Sequence, residues 1–415
     1  MIFVTRQTQI MSHLSLLGAA LSISVTTIGA GVLAIPAAFE SDGIALVALT
    51  LLAVGVFTVV SIDFLILCIN KLGANSYEEI ADELLGRIFK EIIRWMLIVY
   101  NIGTAVGYIV VIGDIFTPML PVIGLYVPWL SSSSRIMIAS WTLVMLPLSC
   151  FPKVSHLYMT SFLAIAATFF VSGIIVYRYF VPLSSPSATM SAEEDIKYFR
   201  VSCRSLLALP VVMFAFDCQS LVFQVYSGLN SPSRHTMAQV ATASVIVTSL
   251  VYGVVGFFGY LSNTPYVQGN ILTNYNPMRD HLFAIGATFY SITVSVAYVL
   301  ILIPCRDALF QMWYGFSHTH ESLEIPRHSN LLVSVLLSFL CLCLALMAPG
   351  FLYIVTLMGA FCSSTLCFTY PALFRQRLHA LGLAPYTGYE RLAVWAMYFF
   401  GAVGFVLGFF VMAGM

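Results

Sequence analysis

The sequence has few charged residues for its length. Asp, Glu, Lys and Arg together make up 9% of its 415 residues, whereas hydrophobic residues make up 60%. A soluble domain carries roughly 25% charged residues, so this chain lacks the polar side chains that would cover a water-exposed globule. Its formal net charge is zero, which argues against a nucleic-acid partner.

Motifs of catalytic and metal-binding proteins are also missing. The sequence contains no Walker motif, nucleophile elbow or zinc-protease motif. No set of Cys, His and carboxylate residues has the spacing of metal ligands, and the nine cysteines lie mostly in or beside apolar segments rather than in a disulfide framework. We therefore expect no enzyme activity, no metal site and no cofactor.

Long apolar segments are what the chain has in abundance. Eleven segments are apolar and long enough to cross a lipid bilayer as helices, which predicts an all-α polytopic membrane protein with a single transmembrane domain over residues 1–415. The predicted spans are 12–39, 43–70, 91–117, 135–151, 154–180, 202–228, 236–261, 281–304, 330–348, 350–374 and 391–413.

The positive residues predict the orientation. If the N-terminus is cytoplasmic, twelve of the 18 Lys and Arg residues lie on the inner side and six on the outer side, as the positive-inside rule requires. The sequence shows no targeting signal that we can interpret. We expect the plasma membrane first and the membrane of an acidic organelle second.

Two of the spans contain residues that weaken a membrane helix. Gly29, Ala30 and Gly31 lie in the middle of the first span, and Pro210 and Asp217 lie in the sixth. Irregular backbone at membrane depth is tolerated only where it is buried in protein or lines a cavity, and an intramembrane carboxylate marks a functional site by default. The alternative for the glycines is close helix packing.

The positions of the two interrupted spans predict a repeat. The first and sixth spans are five apart and cross the membrane in opposite directions, which is the arrangement of an inverted repeat with a central binding site. The halves would be 1–180 and 202–374, and the helix at 391–413 would be an addition to this five-plus-five fold.

Five short motifs resemble those of the amino acid/auxin permease family, within the amino acid–polyamine–organocation superfamily. They are Gly29-Ala-Gly-Val-Leu-Ala-Ile-Pro36, Phe214-Ala-Phe-Asp-Cys218 with Val225-Tyr226, Gly256-Phe-Phe-Gly-Tyr260, Ile303-Pro-Cys-Arg306, and Gly359-Ala-Phe-Cys-Ser-Ser with Pro371-Ala-Leu. Their order along the chain matches that of the family, and several details are similar to its protozoan, trypanosomatid-like branch.

The resemblance implies a secondary active or facilitative transporter that moves amino acids by alternating access. The α-carboxylate would bind backbone amides in the first span, and the ammonium would bind carbonyls in the sixth. The implied substrate-binding residues are Thr27, Gly29, Ala30, Gly31, Asn101, Phe214, Ala215, Phe216 and Asp217, with Phe216 either an aromatic lid or an ordinary packed side chain. The alternative is a receptor that senses amino acids on the same fold without net flux.

The coupling ion is a separate question. Sodium-coupled branches of the family have an Asn at the position of Val25, so the resemblance implies an incomplete sodium cage and favours proton coupling or plain facilitated exchange. Ser291, Thr293 and Ser295 remain candidate ion ligands, although hydroxyls in helices often bond to carbonyls of their own helix.

Asp217 has three possible roles. Its carboxylate could pair with a cationic amino acid, carry the coupling proton, or cap the second half of the sixth span. Asp63 and Asp114 also lie in apolar surroundings and are candidates for a proton relay, but we expect structural roles for them. For Asp63 this role is pairing with a basic residue or capping a helix.

Overall fold

The structure, a computed structural model, describes residues 15–122, 124, 132–150, 157–182, 196–200, 208–314 and 326–414. Its helices are α1 (Leu16–Ile28), α2 (Ile35–Asp42), α3 (Ile44–Leu72), α4 (Tyr77–Leu85), α5 (Arg87–Met119), α6 (Ser133–Ser140), α7 (Leu157–Phe180), α8 (Ala208–Ala215), α9 (Gln219–Gly228), α10 (Arg234–Asn263), α11 (His281–Tyr314), α12 (Arg327–Met347), α13 (Phe351–Met358) and α14 (Glu390–Gly414). The α6 helix continues through a π turn at Trp141–Met145 to Leu146–Ser149, and α13 continues through a π segment at Gly359–Thr369 to Tyr370–Ala380. Short 3-10 turns cover Ala30–Leu33 and Ile271–Asn274.

Most of the predicted spans are present as helices. Within the described residues, eight helices are long and apolar enough to cross a membrane, and α1 with α2 forms a ninth that bends by 48°. The α6 and α7 helices lie at the predicted fourth and fifth spans but do not pass the same test. The predicted spans 154–180 and 202–228 also begin outside the described residues. The chain is thus an all-helical polytopic membrane protein, while the count of eleven spans and the five-plus-five repeat remain predictions.

The interrupted helices lie at the centre of the bundle. About 70% of the spanning stretches of α5, α8–α9 and α13 is buried inside the protein, against 28% for α14. The α10 helix packs against α1, α2 and α3, and α8 packs against the π segment of α13. Helices buried on most sides are shielded from lipid, so irregular backbone is tolerated there.

Several motif glycines are contact points between helices. A Cβ atom at Gly359 would lie 1.9 Å from the Pro210 carbonyl oxygen, and one at Gly256 would lie 2.5 Å from the Phe39 ring. Only glycine allows helices to approach this closely. The packing interpretation therefore accounts for these two positions.

The short helix α4 differs from its sequence prediction. The apolar residues Tyr77, Ile80, Leu84 and Ile88 predict one amphipathic helix over 75–90 on the membrane surface. The helix instead ends at Leu85, because Gly86 adopts a left-handed conformation (φ 90°), and Ile88 is an exposed residue of α5. The Tyr77 hydroxyl donates to the Leu366 carbonyl at 2.6 Å, so α4 is docked on the protein.

Candidate functional site

The first interruption, here called the first break, covers residues 29–34 between α1 and α2. The backbone leaves the helix at Gly29 (φ 15°, ψ −145°), and a 3-10 turn follows before α2 starts at Ile35. Pro36 lies in the first turn of α2, where its missing N–H removes no helical hydrogen bond. Pro36 therefore starts the second half-helix of the first span.

The second break covers residues 216–218 between α8 and α9. The Asp217 amide donates to the Phe214 carbonyl at 3.2 Å, which closes the end of α8. The Cys218 amide donates to the Gln219 side-chain oxygen at 3.0 Å, and the Gln219 side-chain nitrogen lies 3.4 Å from the Ser61 hydroxyl. Side chains at and beside this break thus satisfy part of its backbone.

The two breaks lie against each other. A Cβ atom at Gly31 would be 2.9 Å from the Ala215 Cα, so the glycine allows the two chains to touch. The Tyr252 hydroxyl of α10 is 2.7 Å from the Thr27 carbonyl oxygen and 2.6 Å from the Ala215 carbonyl oxygen. A tyrosine hydroxyl has one proton, so it donates to one of these carbonyls at a time while linking both half-helices.

Backbone groups of opposite polarity meet at this contact. The amides of Ala30 and Gly31 begin a 3-10 turn and so have no acceptor within it, and a helix start carries positive partial charge. The carbonyls at the ends of α1 and α8 carry negative partial charge. The arrangement suits a small zwitterion, whose anionic and cationic groups are a few bonds apart.

Two further tyrosines surround the first break. The Tyr290 hydroxyl of α11 donates to the Gly29 carbonyl at 3.2 Å, and the Tyr108 hydroxyl of α5 lies 3.9 Å from the position of a Cβ atom at Gly29. Sequence reasoning did not single out Tyr252 and Tyr290. A buried tyrosine hydroxyl needs a hydrogen-bond partner, but this rule does not distinguish Tyr252 and Tyr290 in a chain with 21 tyrosines.

Asp217 is half-buried beside the second break. Its carboxylate accepts a hydrogen bond from the Ser363 hydroxyl at 2.8 Å and lies next to the Gln219 amide and the Cys367 thiol. The position next to the start of α9 agrees with a capping role. Among the described residues, no Lys or Arg forms an ion pair with it.

The other predicted substrate residues differ in their surroundings. The Thr27 hydroxyl donates to the Ile23 carbonyl of its own helix at 2.7 Å and lies next to the Cys218 thiol, while the Thr27 carbonyl is bonded to Tyr252. The Phe214 ring packs 5.9 Å from Tyr100. Phe216 is fully buried, edge-on to Tyr252 at 5.3 Å. Asn101 is half-buried on α5 and makes no hydrogen bond to either break within the described part of the chain.

The candidate ion ligands are bonded to their own helix. The hydroxyls of Ser291, Thr293 and Ser295 donate to carbonyls three or four residues earlier at 2.8, 3.1 and 2.8 Å. A donating hydroxyl still has a free lone pair, so these bonds leave its oxygen able to bind a cation. The Val25 carbonyl accepts from the Gly29 amide at 3.4 Å.

Charged residues away from the breaks are paired with each other. Arg234 holds Asp63 with two hydrogen bonds of 2.7 and 2.5 Å, which confirms the expected pairing of Asp63. Arg234 also contacts Glu390 at 3.2 Å, and Glu390 pairs with the buried Arg375. This network joins α3, α10, α13 and α14. Separately, Asp114 accepts from the Asn270 side chain at 3.2 Å.

Another ion pair joins α7 to the start of α11. Arg178 binds Asp280 with hydrogen bonds of 2.6 and 2.7 Å, and the Phe283 amide donates to the same carboxylate at 2.9 Å. Burial alone would raise the pKa of Asp280, but these bonds outweigh it and lower the pKa below its usual value of 3.8. Asp280 is therefore ionised at neutral pH and does not titrate there.

The fold resembles that of solved transporters. The structure of MhsT in complex with L-phenylalanine matches with a TM-score of 0.58 and 13% identity, over 97% of this chain and 99% of that one. A substrate-bound outward-open Na⁺-coupled sialic acid symporter matches with a TM-score of 0.53 and 14% identity, over 94% and 87%. At such identities the likeness concerns the fold alone.

Sequence relatives are sodium-coupled neutral amino acid transporters by name. Transporter 7 of Bos taurus is 24% identical over 96% of this chain and 86% of its own length, and that of Homo sapiens is 23% identical over 86% and 78%. The putative transporter 10 of Xenopus laevis is 26% identical over 88% of this chain and 35% of its own length. Placement in the protozoan branch stays a prediction.

The family comparison covers almost the whole chain. The sequence model described as "Transmembrane amino acid transporter protein" matches residues 12–415, a range that contains both breaks and all five motifs. This protein therefore belongs to the transmembrane amino acid transporter family.

Proposed function

We propose that this protein carries an amino acid across a membrane by alternating access and is not an enzyme. The observation that carries the proposal is the contact between the two breaks, where Tyr252 lies within hydrogen-bond distance of the carbonyls of Thr27 and Ala215. Half-helices that end in the middle of a membrane domain are the usual binding site of secondary transporters. The family and the names of the relatives support the same function.

The breaks supply groups for both ends of an amino acid. In the proposed complex, the amides of Ala30 and Gly31 hold the α-carboxylate, and the carbonyls of Thr27 and Ala215 hold the ammonium. Both interactions are charge-assisted and so stronger than neutral hydrogen bonds. Binding would separate the Tyr252 hydroxyl from one of its carbonyls, which would link substrate arrival to a change at the contact.

The substrate side chain would face the aromatic residues near the breaks. We propose a neutral amino acid, as the names of the relatives indicate for those proteins. Asp217 fits this choice, because its carboxylate is engaged by the Ser363 hydroxyl. Pairing of Asp217 with a cationic substrate is the competing candidate and would require exchange of that bond.

Sodium is the coupling ion that we propose. The relatives' names favour it over the proton coupling predicted from Val25. The buried hydroxyls of Ser291 and Ser295 and backbone carbonyls at the end of α1 are oxygen ligands of the type that such a cation binds. Proton coupling through the half-buried Asp217 is the second candidate.

Uptake by proteoliposomes tests these proposals together. Purified protein is reconstituted, and labelled neutral, cationic and acidic amino acids are offered with sodium or choline outside, with and without a pH gradient. We expect uptake of a neutral amino acid that needs sodium. Uptake driven by the pH gradient in choline would reject sodium coupling, and binding without flux under every gradient would favour the receptor.

The two five-helix halves and the membrane of residence are further proposals. Surface biotinylation of intact cells would separate the plasma membrane, our first choice, from an internal organelle. Antibody access to a tag at residue 1 before and after permeabilisation would test the cytoplasmic N-terminus.

A further inference from the structure

Arg306 is a buried arginine that the proposed transport site does not use. It closes the Ile303-Pro-Cys-Arg306 motif on α11, and its side chain is 4% exposed. One guanidinium nitrogen donates to the Ser334 hydroxyl at 3.1 Å. The Asp307 carboxylate is 3.6 Å from Nε, which is too far for a hydrogen bond, and among the described residues Nε has no hydrogen-bond partner. A buried charged donor without an acceptor is costly, so a ligand that accepts from Nε would be stabilised here.

The guanidinium lines a narrow crevice between α6, α11 and α12. The crevice has a cavity volume of only about 10 Å³, which is room for about one oxygen atom of a ligand. It is lined by Ser149, Leu302, Ile303, Arg306, Ser334 and Leu337. Its polar lining consists of one guanidinium and two hydroxyls, and the rest is aliphatic. The Ser149 hydroxyl donates to the Leu146 carbonyl at 2.8 Å, so the guanidinium and the Ser334 hydroxyl are the donors that the lining offers to an anion. The aliphatic residues offer apolar contact to the group attached to it.

The crevice lies near the ends of its helices. Ser149 is the last residue of α6, and Ser334 is about two turns from the start of α12. Trp313, two turns after Arg306 on α11, is 81% exposed, and exposed tryptophans mark the membrane–water interface. The crevice is therefore about 10 Å along α11 from that interface, on the side that the positive residues predict to be cytoplasmic.

We propose that Arg306 and Ser334 form a site for a phosphate-bearing anion, with an anionic phospholipid headgroup as the ligand. A guanidinium fork matches the oxygens of a phosphate group, and basic pockets between membrane helices on the cytoplasmic side are known headgroup sites. The aliphatic residues Leu302, Ile303 and Leu337 would contact the start of the acyl chains. The negative charge of Asp307 reduces the attraction of the site for an anion, but Asp307 does not accept the hydrogen bond that the Arg306 Nε can donate.

The test measures thermal unfolding of the purified, delipidated protein in detergent. The probes are dihexanoyl-phosphatidylglycerol, inorganic phosphate, and dihexanoylglycerol as a ligand with the same chains and no phosphate. We expect a saturable rise in Tm with dihexanoyl-phosphatidylglycerol. In Arg306→Lys the half-saturating concentration of this lipid should be about tenfold higher, since lysine lacks the forked guanidinium. The rise should vanish in Arg306→Gln.

Control variants make the result specific. Ser334→Ala keeps the arginine and should weaken the rise in Tm with phosphatidylglycerol. This variant tests the site if Arg306→Gln does not fold. Arg377→Gln removes an exposed arginine on the predicted cytoplasmic side and should respond like the parent. A rise with inorganic phosphate as large as with phosphatidylglycerol would identify the free anion as the ligand of the same site. No rise beyond that of dihexanoylglycerol, or a rise that survives in Arg306→Gln, would overturn the proposal.

Discussion

Both breaks interrupt a membrane helix, but different residues stabilise them. The first break depends on glycine, and hydroxyls from other helices hold it, with Tyr290 on the Gly29 carbonyl and Tyr252 on the Thr27 carbonyl. The second break has no glycine, and polar side chains at and beside it bind part of the local backbone: the Gln219 oxygen accepts from the Cys218 amide, and the Asp217 carboxylate lies next to the Gln219 amide. The first break is thus open backbone supported from outside, whereas the second is partly self-supporting.

This difference indicates where each break is vulnerable. Added side-chain volume should damage the first break most, because its function requires bare backbone near a partner. Loss of a polar side chain should damage the second break in proportion to how much of its backbone that side chain satisfies. The Tyr252 hydroxyl lies within hydrogen-bond distance of a carbonyl beside each break. Removing this hydroxyl therefore tests how strongly the two breaks depend on each other.

The largest effect is expected at Gly31. Even Gly31→Ala places a Cβ atom 2.9 Å from the Ala215 Cα, and backbone cannot move aside as a flexible side chain can. Overpacking of a tight contact costs about 1–3 kcal/mol, here at the point where the breaks meet. We expect uptake in proteoliposomes to fall below one tenth of the parent, and Gly31→Leu to abolish it.

Gly253 provides the matched control on α10. A Cβ atom there meets nothing within 4 Å, although the residue is next to Tyr252. Gly253→Ala should express and transport like the parent. Normal uptake by well-expressed Gly31→Leu protein would show that the breaks are not the substrate site.

The next effect is expected at Tyr252. Tyr252→Phe keeps the ring packed on Phe216 but leaves the buried carbonyls of Thr27 and Ala215 without the hydroxyl that serves them. An unsatisfied buried group costs about 1–3 kcal/mol, so the closed contact should weaken and net uptake should fall about tenfold. Tyr290→Phe removes one longer bond of 3.2 Å and should have the smaller effect. Equal effects would mean that Tyr252 does not link the breaks.

A smaller effect is expected at Asp217. Asn can still cap a helix and can still accept from Ser363, so Asp217→Asn should leave uptake of a neutral amino acid near that of the parent, while Asp217→Ala should lose about 1 kcal/mol of stability. The measurement is uptake with a parallel unfolding curve. A selective loss of Arg or Lys uptake in Asp217→Asn would instead support a cationic substrate, and loss of accumulation with intact exchange would support proton coupling.

Sequence reasoning found the breaks because it needed only local chemistry. Glycines in the middle of an apolar span and a carboxylate in another are visible without a structure, since lipid offers no partner for either. Among the described residues, the eight helices that pass the span test and the bent pair of α1 and α2 likewise follow from apolar length. The pairing of Asp63 with a basic residue was predictable for the same reason.

The partners of these groups were not predictable from local sequence. The contacts of Tyr252 with Thr27 and of Ser363 with Asp217 join residues more than a hundred positions apart. The role of Pro36 was not predictable either, because it depends on whether Pro36 starts a helix or lies inside one. Tertiary packing decides that question, and composition does not.

The smallest effect is expected among the hydroxyls of α11, which the structure divides into two faces. Ser291 and Ser295 are four residues apart and buried, whereas Thr293 lies between them and is only partly buried. Residues four apart share a helix face, and a residue two positions away points elsewhere. If sodium is bound beside the first break, Ser295→Ala should raise the half-saturating sodium concentration about fivefold, the equivalent of a hydrogen bond of about 1 kcal/mol. Thr293→Val should leave that concentration unchanged, because its methyl groups replace a hydroxyl on the other face. The same uptake assay, run as a sodium titration at fixed substrate, measures both variants. An equal shift in both variants, or no shift in Ser295→Ala, would show that α11 is not part of the ion site. Proton coupling through Asp217 would then be the favoured mechanism.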